Sequence, residues 1–262
     1  MAQLDESNSL MSTEIIYDCR RSSQVDDKFV DDFIKVEREV FGNDYDRAYF
    51  NHKFINNPYG ESVLAVVYIA GLPSAARALW RNDIDGKESY QPGDTCVLAS
   101  CRGKGVFSEM TGRTVDMLHK NALIYNFPNP NSYPGYIKMG WTLQRECHLV
   151  LLGSNKKYRA ENPANIDDAY ARWWIPTDRV RRIRRGSTYY LVVKYARPFC
   201  YKVLGAVGRE TAKRYKPLLR PGLLFYCSTR QTWYNKPFMT LKVVSNHNPD
   251  NIFIPTWKID AL

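Results

Sequence analysis

The chain has 262 residues, of which 44% are hydrophobic and 24% are charged. This length fits one large domain or two small ones, and the composition is that of a chain that buries a core, which excludes a disordered protein. No stretch supplies the ~20 apolar residues of a membrane-spanning helix. The first residues carry acidic side chains and lack the basic start and apolar segment of a secretory signal. We therefore expect a cytoplasmic protein without a membrane partner.

The net charge of +10 is unevenly distributed along the chain. Residues 1–150 hold 16 Lys and Arg against 20 Asp and Glu, whereas residues 151–262 hold 21 against 7. The first part is therefore slightly acidic, and the second carries a formal charge of +14. A basic surface of this kind is typical of binding to anionic partners, whether a small phosphorylated molecule or nucleic acid.

Six cysteines are present, but none forms a C-x-x-C pair, and the chain has four histidines. The spacing of zinc ligands is therefore absent, and we expect free thiols in a reducing compartment and no metal site.

Hydrophobic periodicity and turn residues predict the elements of the first part in the order β, αα, βββ, α, β, α, β. The first helix is expected to be capped by Asp26 or Asp27 and ended by Gly42 and Asn43. The other predictions are a strand at 14–19, a short helix at 46–54, strands at 62–70, 75–81 and 94–99, a helix at 106–120, a strand at 122–127, a short helix at 136–139 and a strand at 141–152.

A polar segment at 153–168 predicts a linker. Beyond it the pattern predicts strands at 187–193, 201–206, 223–227, 239–245 and 252–258, and a helix at 209–219. This arrangement predicts two domains, one at 14–152 and a smaller, strand-rich basic domain at 169–262.

The sequence RGKGV at 102–106 connects a predicted strand to a predicted helix. Glycines let backbone N–H groups approach an anion closely, and the helix N-terminus adds partial positive charge. The segment therefore predicts a phosphate-binding loop.

Two motifs about 27 residues apart carry a resemblance to a known family. Arg102 and Gly105 match the acyl-CoA pyrophosphate motif [Q/R]-x-x-G-x-[G/A], whereas Phe107 replaces its final small residue and would crowd the helix start. The downstream segment NPNSYPGYIKMGW places Asn129, Ser132, Tyr136, Lys138, Gly140 and Trp141 at the offsets of a second motif. Residues 14–152 thus resemble the GNAT superfamily of N-acyltransferases.

The resemblance implies an α+β fold with a mixed sheet, acyl-CoA as a co-substrate and no permanently bound cofactor. The resemblance is also consistent with a C-terminal domain that is a diverged half of the same fold. Backbone groups of Val97, Leu98 and Ala99 would bind the pantetheine arm and polarise the thioester. The pyrophosphate would be held by Arg102, Gly103, Lys104, Gly105, Val106, Phe107 and Ser108. Tyr136 would protonate the departing thiolate, and Asn129 would orient the pantetheine end or a water.

A base must take a proton from the incoming ammonium, because only the neutral amine attacks. The sequence favours Asp94, which lies on the strand before the loop. Glu61, His119 and His148 remain open as alternatives.

A narrower resemblance concerns the acceptor. Asp-Thr before the loop and Phe-Pro-Asn before the final helix are similar to the two-domain sugar N-acyltransferases of surface-polysaccharide biosynthesis, which implies a nucleotide-linked amino sugar as substrate. Arg181, Arg184 and Tyr189 are the candidate acceptor-binding residues, because arginines bind phosphates and a tyrosine can stack on a base. In an extended segment, alternation would put Arg181 and Arg184 on opposite sides. The alternative function is an acetyltransferase or binding module that acts on RNA or a ribosome-associated partner through the same basic surface.

Overall fold

The computed structural model describes residues 14–151, 165–195, 198–220, 222–228 and 240–245. Its strands are β1 Ile15–Arg21, β2 Val63–Ile69, β3 Leu72–Arg81, β4 Ser89–Val97, β5 Leu123–Asn126, β6 Thr142–Leu151, β7 Val180–Arg185, β8 Thr188–Lys194, β9 Cys200–Val207, β10 Leu223–Ser228 and β11 Thr240–Ser245. Its helices are α1 Asp27–Phe41, α2 Arg47–Phe50, α3 Val106–Asp116, α4 Tyr133–Lys138, α5 Asp168–Trp173 and α6 Arg209–Lys213. A π-helical turn, Asn51–Ile55, continues α2, and short 3₁₀ turns occupy Ser22–Gln24 and Ala99–Cys101.

The described residues form two compact units. The first contains residues 14–56, 61–80 and 92–120, and the second contains residues 57–60, 81–91 and the described residues from 121 onward. This division does not follow the predicted linker, since β5, α4 and β6 lie in the second unit. Most of the linker at 153–168 lies outside the described residues, and the predicted domain boundary stays a prediction.

In the first unit the strand order is β1-β2-β3-β4. β1 and β2 pair antiparallel from Ile15–Ile69 to Arg21–Val63, and β2 pairs antiparallel with β3. α1 and α3 both pack against β2. The core beneath α3 is formed by apolar side chains that are at most 2% exposed: Ala65, Val67, Ala75, Val106 and Met110. Burial on both faces explains why β2 is an almost unbroken apolar run.

In the second unit the strand order is β5-β11-β6-β10-β9-β8-β7. β10 is parallel to β9 and antiparallel to β6, whereas β7, β8 and β9 form an antiparallel series. The first residues of β4 also belong to this unit, and Ser89 and Tyr90 pair in parallel with Leu123 and Ile124 of β5. The mixed sheets and helices confirm the predicted α+β class.

The predicted start and end of α1 are confirmed in detail. The Asp26 carboxylate accepts a hydrogen bond from the Phe29 N–H at 2.8 Å, which caps the first turn. Gly42 ends the helix in the left-handed conformation, at φ +63°, and its N–H donates to the Arg38 carbonyl.

Other predicted elements differ from those observed. β4 begins five residues earlier than predicted and ends at Val97, and Ala99 lies in a 3₁₀ turn rather than in the strand. The arginine-rich β7 and the helix α5 were not predicted as elements. The predicted strand at 252–258 lies outside the described residues.

The predicted helix at 209–219 is wrong in length, since α6 ends at Lys213. The chain then becomes extended beside β7, because a proline interrupts the helical pattern. The Arg182 N–H donates to the Lys216 carbonyl, and the Leu218 N–H donates to the Arg182 carbonyl, both at 2.9 Å. These bonds partly cover the outer edge of β7.

Among the described residues, no helix is both long and apolar enough to cross a membrane. The same residues contain no group of three or more His, Cys, Asp or Glu side chains arranged to hold a metal ion.

Candidate functional site

The predicted phosphate loop is a glycine-containing turn that leads directly into α3. Gly103 and Gly105 have φ values of +76° and +78°, in the left-handed region that favours glycine. A Cβ built on either glycine would meet nothing within 4 Å. The requirement for glycine at these positions is therefore conformational, and the open space beside the backbone is what an approaching anion needs.

The N-terminus of α3 supplies the donors of this loop. Gly105 is the N-cap residue and has no side chain with which to cap the helix. The first intrahelical bond runs from the Glu109 N–H to the Gly105 carbonyl at 3.1 Å. The N–H groups of the first turn lie at the N-terminus of α3, where backbone donors and the helix dipole favour a bound anion. Lys104 and Arg102 are exposed beside them and add positive charge.

The loop is tied to the end of β4. The Arg102 Nε donates to the Val97 carbonyl at 3.0 Å, and the Leu98 N–H donates to the Ser74 carbonyl of β3 at 2.9 Å. The Leu98 N–H is therefore already used within the sheet. Because successive residues of a strand direct their N–H and C=O groups to alternate sides, Val97 directs its own groups away from β3.

Phe107 does not crowd the helix start as its size suggests. Its ring is half-buried, and the guanidinium of the fully buried Arg77 on β3 lies 5.3 Å from the ring centroid. A cation that packs on an aromatic face in this way accommodates the large side chain within the unit. The large side chain of Phe107 thus packs on Arg77 at the start of α3.

The second motif forms a compact turn around α4. Tyr136 is 2% exposed, and its ring centroid lies 4.7 Å from that of Trp141. The Asn129 side-chain oxygen accepts from the backbone N–H groups of Asn131 and Ser132, at 3.0 and 2.9 Å. Asn129 therefore organises the turn before α4. The predicted roles of Tyr136 as an acid and of Asn129 as a pantetheine ligand stay predictions.

Asp94 lies in a buried polar cluster that the sequence reasoning missed. Its carboxylate accepts from the Lys53 Nζ at 3.1 Å and from the Tyr45 hydroxyl at 3.0 Å. The Lys53 side chain is 0% exposed and that of Asp94 is 12% exposed. Burial and the Asp94 charge raise the pKa of Tyr45, so the hydroxyl keeps its proton and remains a donor.

A second buried acid lies close to the same strand. The Cys96 thiol donates to Glu37 Oε1 at 3.1 Å, and Glu37 on α1 is 1% exposed. Burial and then the Glu37 charge raise the pKa of Cys96, which keeps the thiol neutral. No sequence motif includes Glu37, Tyr45 or Lys53. The available signal was Glu37, a charged residue among the apolar positions of the first helix.

The structure places the other base candidates as follows. Glu61 is half-exposed and lies 3.8 Å from Arg21, a distance typical of a weak surface ion pair. His119 is exposed and lies beyond the end of α3. His148 is on β6. Both Asp94 oxygens are engaged, so the geometry gives Asp94 a bridging role, and its role as a base stays a prediction.

The predicted acceptor residues lie on the β7–β8 hairpin, but they do not all lie on one face of it. Arg181 pairs with Val192 and Arg184 pairs with Tyr189, on opposite faces of the hairpin. The Arg184 guanidinium lies 5.7 Å from the Tyr189 ring centroid, and its Nε donates to the Gly186 carbonyl. Arg181 donates to the carbonyls of its own preceding turn. Alternation therefore places Arg181 and Arg184 on opposite faces, as the sequence pattern predicts for an extended segment, and their role in acceptor binding stays a prediction.

Comparisons with known proteins identify structures that share the fold of the chain, but no similar sequence. No family model and no curated protein sequence matches the chain. A probable N-acyltransferase from Enterococcus faecalis is 11% identical, with 88% of this chain and 72% of that chain covered at a TM-score of 0.57.

Two further solved structures are similar to the chain over a comparable share of its length. A GCN5-related N-acetyltransferase from Anabaena variabilis is 10% identical over 88% of this chain and 72% of its own, with a TM-score of 0.57. One from Kribbella flavida is 12% identical over 87% and 71%, with a TM-score of 0.53. These shares exceed what either unit contains, so the likeness includes residues of both. The chain therefore has the fold of the GCN5-related N-acetyltransferases.

Proposed function

We propose that the chain is an acyl-CoA-dependent N-acyltransferase that uses acyl-CoA as a co-substrate. The observation that carries the proposal is the loop before α3, where Gly103 and Gly105 adopt positive φ values and open space lies beside them. The N–H groups of the first turn of α3 are directed out of the helix, as binding of a pyrophosphate requires. The fold of the GCN5-related N-acetyltransferases supports the same interpretation.

The reaction would be a direct transfer. The neutral amine attacks the thioester carbonyl carbon, the C–N bond forms and the C–S bond breaks, and the CoA thiolate leaves with a proton donated by an acid. Tyr136 is the proposed acid, and Val97 is the proposed backbone partner of the pantetheine arm. The ammonium proton of the acceptor is lost to a base or to water before attack, and Asp94 remains the proposed base.

For the acceptor we propose a nucleotide-linked amino sugar. Support comes from the charge of the C-terminal part and from the hairpin face on which Arg184 stacks over Tyr189. A guanidinium beside an aromatic ring can contact a phosphate and a flat base together. The register of β7 and β8 restricts this proposal to the Arg184 face and omits Arg181.

RNA is the second candidate acceptor or partner. It is favoured by exposed cations in the segment after α6, where Arg214, Lys216 and Arg220 have exposed side chains. Binding through a phosphate backbone loses affinity steeply between low and moderate salt, whereas a small-ligand pocket saturates with a defined ligand. A salt titration with a single-stranded RNA therefore separates the two candidates.

The decisive assay is thiol release from acetyl-, propionyl- and hydroxybutyryl-CoA against UDP- and dTDP-amino sugars, polyamines and peptides. Amine-dependent release supports the proposed reaction, and release with polyamines or peptides but no sugar contradicts the proposed acceptor. Absence of release with every acceptor, together with no binding of CoA, contradicts the transferase.

The chain offers a matched pair of variants for the loop. Gly105→Ala and Gly42→Ala both place a Cβ at a positive φ with open space around it, within the same unit. We expect similar losses of stability, about 1 kcal/mol each, because both impose the same backbone strain. Only Gly105→Ala should weaken CoA binding. Equal CoA affinity in the two variants would show that the loop does not bind the pyrophosphate.

A further inference from the structure

Three unusual features meet where Lys53 contacts β4. Lys53 lies on a π-helical turn in which the Asn56 N–H donates to the Asn51 carbonyl, and such turns are rare and occur often at functional sites. Its side chain is fully buried. Its partner Asp94 has a φ of +43°, a left-handed conformation within a strand.

The lysine is held in place from several sides. Its Nζ lies 4.7 Å from the Trp80 ring centroid and 5.6 Å from that of Tyr49, in addition to its ion pair with Asp94. Aromatic faces around an ammonium partly compensate for its removal from water. The position of the charge is therefore fixed by the surrounding side chains.

These features are costly, and their cost requires an explanation. A buried ion pair is often no more stabilising than apolar residues of the same volume. A non-glycine residue at positive φ persists only where its surroundings impose that conformation, and such strain tends to occur at active sites. Here the two carboxylate oxygens of Asp94 are bound by Lys53 and Tyr45, which is how the surroundings impose it.

The strain lies at a defined point of β4. Ser89 and Tyr90 pair with β5, and Pro92 follows two residues later without an N–H group to donate to a ladder. Asp94, with its positive φ, lies three residues before Val97. On the other side, the Leu98 N–H fixes the strand end to Ser74. A change in the backbone conformation of Asp94 would therefore alter the segment that carries Val97.

We propose that Lys53 is a positioning residue: it holds Asp94 in the left-handed conformation and thereby sets β4 so that Val97 offers its backbone N–H to the pantetheine arm of acyl-CoA. The inference rests on the proposed function, and it concerns a residue outside both sequence motifs. It separates two parts of the CoA site, because the glycine loop holds the phosphates whereas Lys53 acts on the pantetheine segment alone.

The test compares two ligands on purified protein. CoA carries the pantetheine arm, and adenosine 3′-phosphate 5′-diphosphate is the same molecule without it. Lys53→Met should weaken CoA binding about tenfold, the loss expected when hydrogen bonds to the pantetheine amides are no longer made. It should leave the affinity for the truncated ligand within about twofold of wild type, since the phosphate contacts persist.

Control variants keep the result interpretable. Val30→Ala truncates a buried side chain of α1 in the same unit and should leave both affinities unchanged in the folded protein. If Lys53→Met does not fold, Lys53→Met/Asp94→Asn removes the leftover buried carboxylate and should show the same selective loss of CoA binding.

Two results would overturn the inference. One is a folded Lys53 variant that binds CoA as wild type does. The other is an equal weakening of both ligands, which a general loss of structure would produce. If wild-type protein binds neither ligand, the proposed function itself fails. That outcome differs from failure of the Lys53 proposal alone, in which the wild-type protein still binds both ligands.

Discussion

Removal of the Asp94 charge tests how strongly the buried ion pair couples Asp94 to Lys53. Asparagine has nearly the same shape as aspartate, tolerates the left-handed conformation and can still accept the Tyr45 hydroxyl. Asp94→Asn therefore isolates the charge. It leaves the Lys53 ammonium, 0% exposed, facing a neutral amide.

The expected cost follows from this burial. Breaking one side of a buried ion pair typically costs about 3–5 kcal/mol, a large part of the ~5–15 kcal/mol by which native proteins are stable. Lys53→Met/Asp94→Asn leaves no unpaired charge and should recover at least about 2 kcal/mol of that loss, because the two sites are in contact and their effects do not add.

The measurement is urea unfolding at pH 7, followed by circular dichroism, for wild type, the two single variants and the double variant. The coupling energy follows from the four free energies of unfolding. An Asp94→Asn cost below about 1 kcal/mol, or a double variant whose loss equals the sum of the single losses, would refute the strong coupling of Lys53 and Asp94.

Three further predictions follow from other parts of the chain. Asp26→Ala should lower the free energy of unfolding by about 1 kcal/mol through loss of the α1 cap, whereas the exposed neighbour Asp27→Ala should change it less; equal losses in urea unfolding would argue against the cap. Burial raises the pKa of Cys19 to about 11, so the native thiol keeps a proton that the unfolded thiol loses. The free energy of unfolding should therefore decrease as the pH rises from about 9 to about 11. In unfolding measured as a function of pH, this decrease should be smaller for Cys19→Ala. Tyr136→Phe should lower kcat with little change in the KM for acyl-CoA, since it removes a proton donor and keeps the ring that packs on Trp141; unchanged turnover would exclude Tyr136 as the acid.

The sequence was informative wherever local rules decide the structure. The Asp26 cap and the Gly42 end of α1 follow from side-chain chemistry within one turn, and both were predicted correctly. The loop before α3 was found because glycine adopts positive φ readily, whichever residues surround it in the fold. The period of two along a strand likewise separates Arg181 from Arg184, and the register of β7 with β8 agrees with it.

The buried cluster was not predictable in the same way. Lys53 and Asp94 are 41 residues apart, and nothing local indicates that they meet. A lysine next to Phe54 in the predicted short helix at 46–54 was a weak signal, and Pro92 just before the predicted strand at 94–99 was another, since proline limits pairing. The length of β4 was misjudged because its partners, rather than its own propensity, determine where pairing ends.

Hydrogen–deuterium exchange of the segment from Val97 to Met110, with and without CoA, tests the central claim most directly. We expect CoA to slow exchange at the N–H groups of residues 103–108, and the truncated ligand without pantetheine to slow the same groups. Pantetheine alone should leave these groups unchanged. Binding of CoA without any protection of residues 103–108 would contradict the assignment of this loop as the phosphate site.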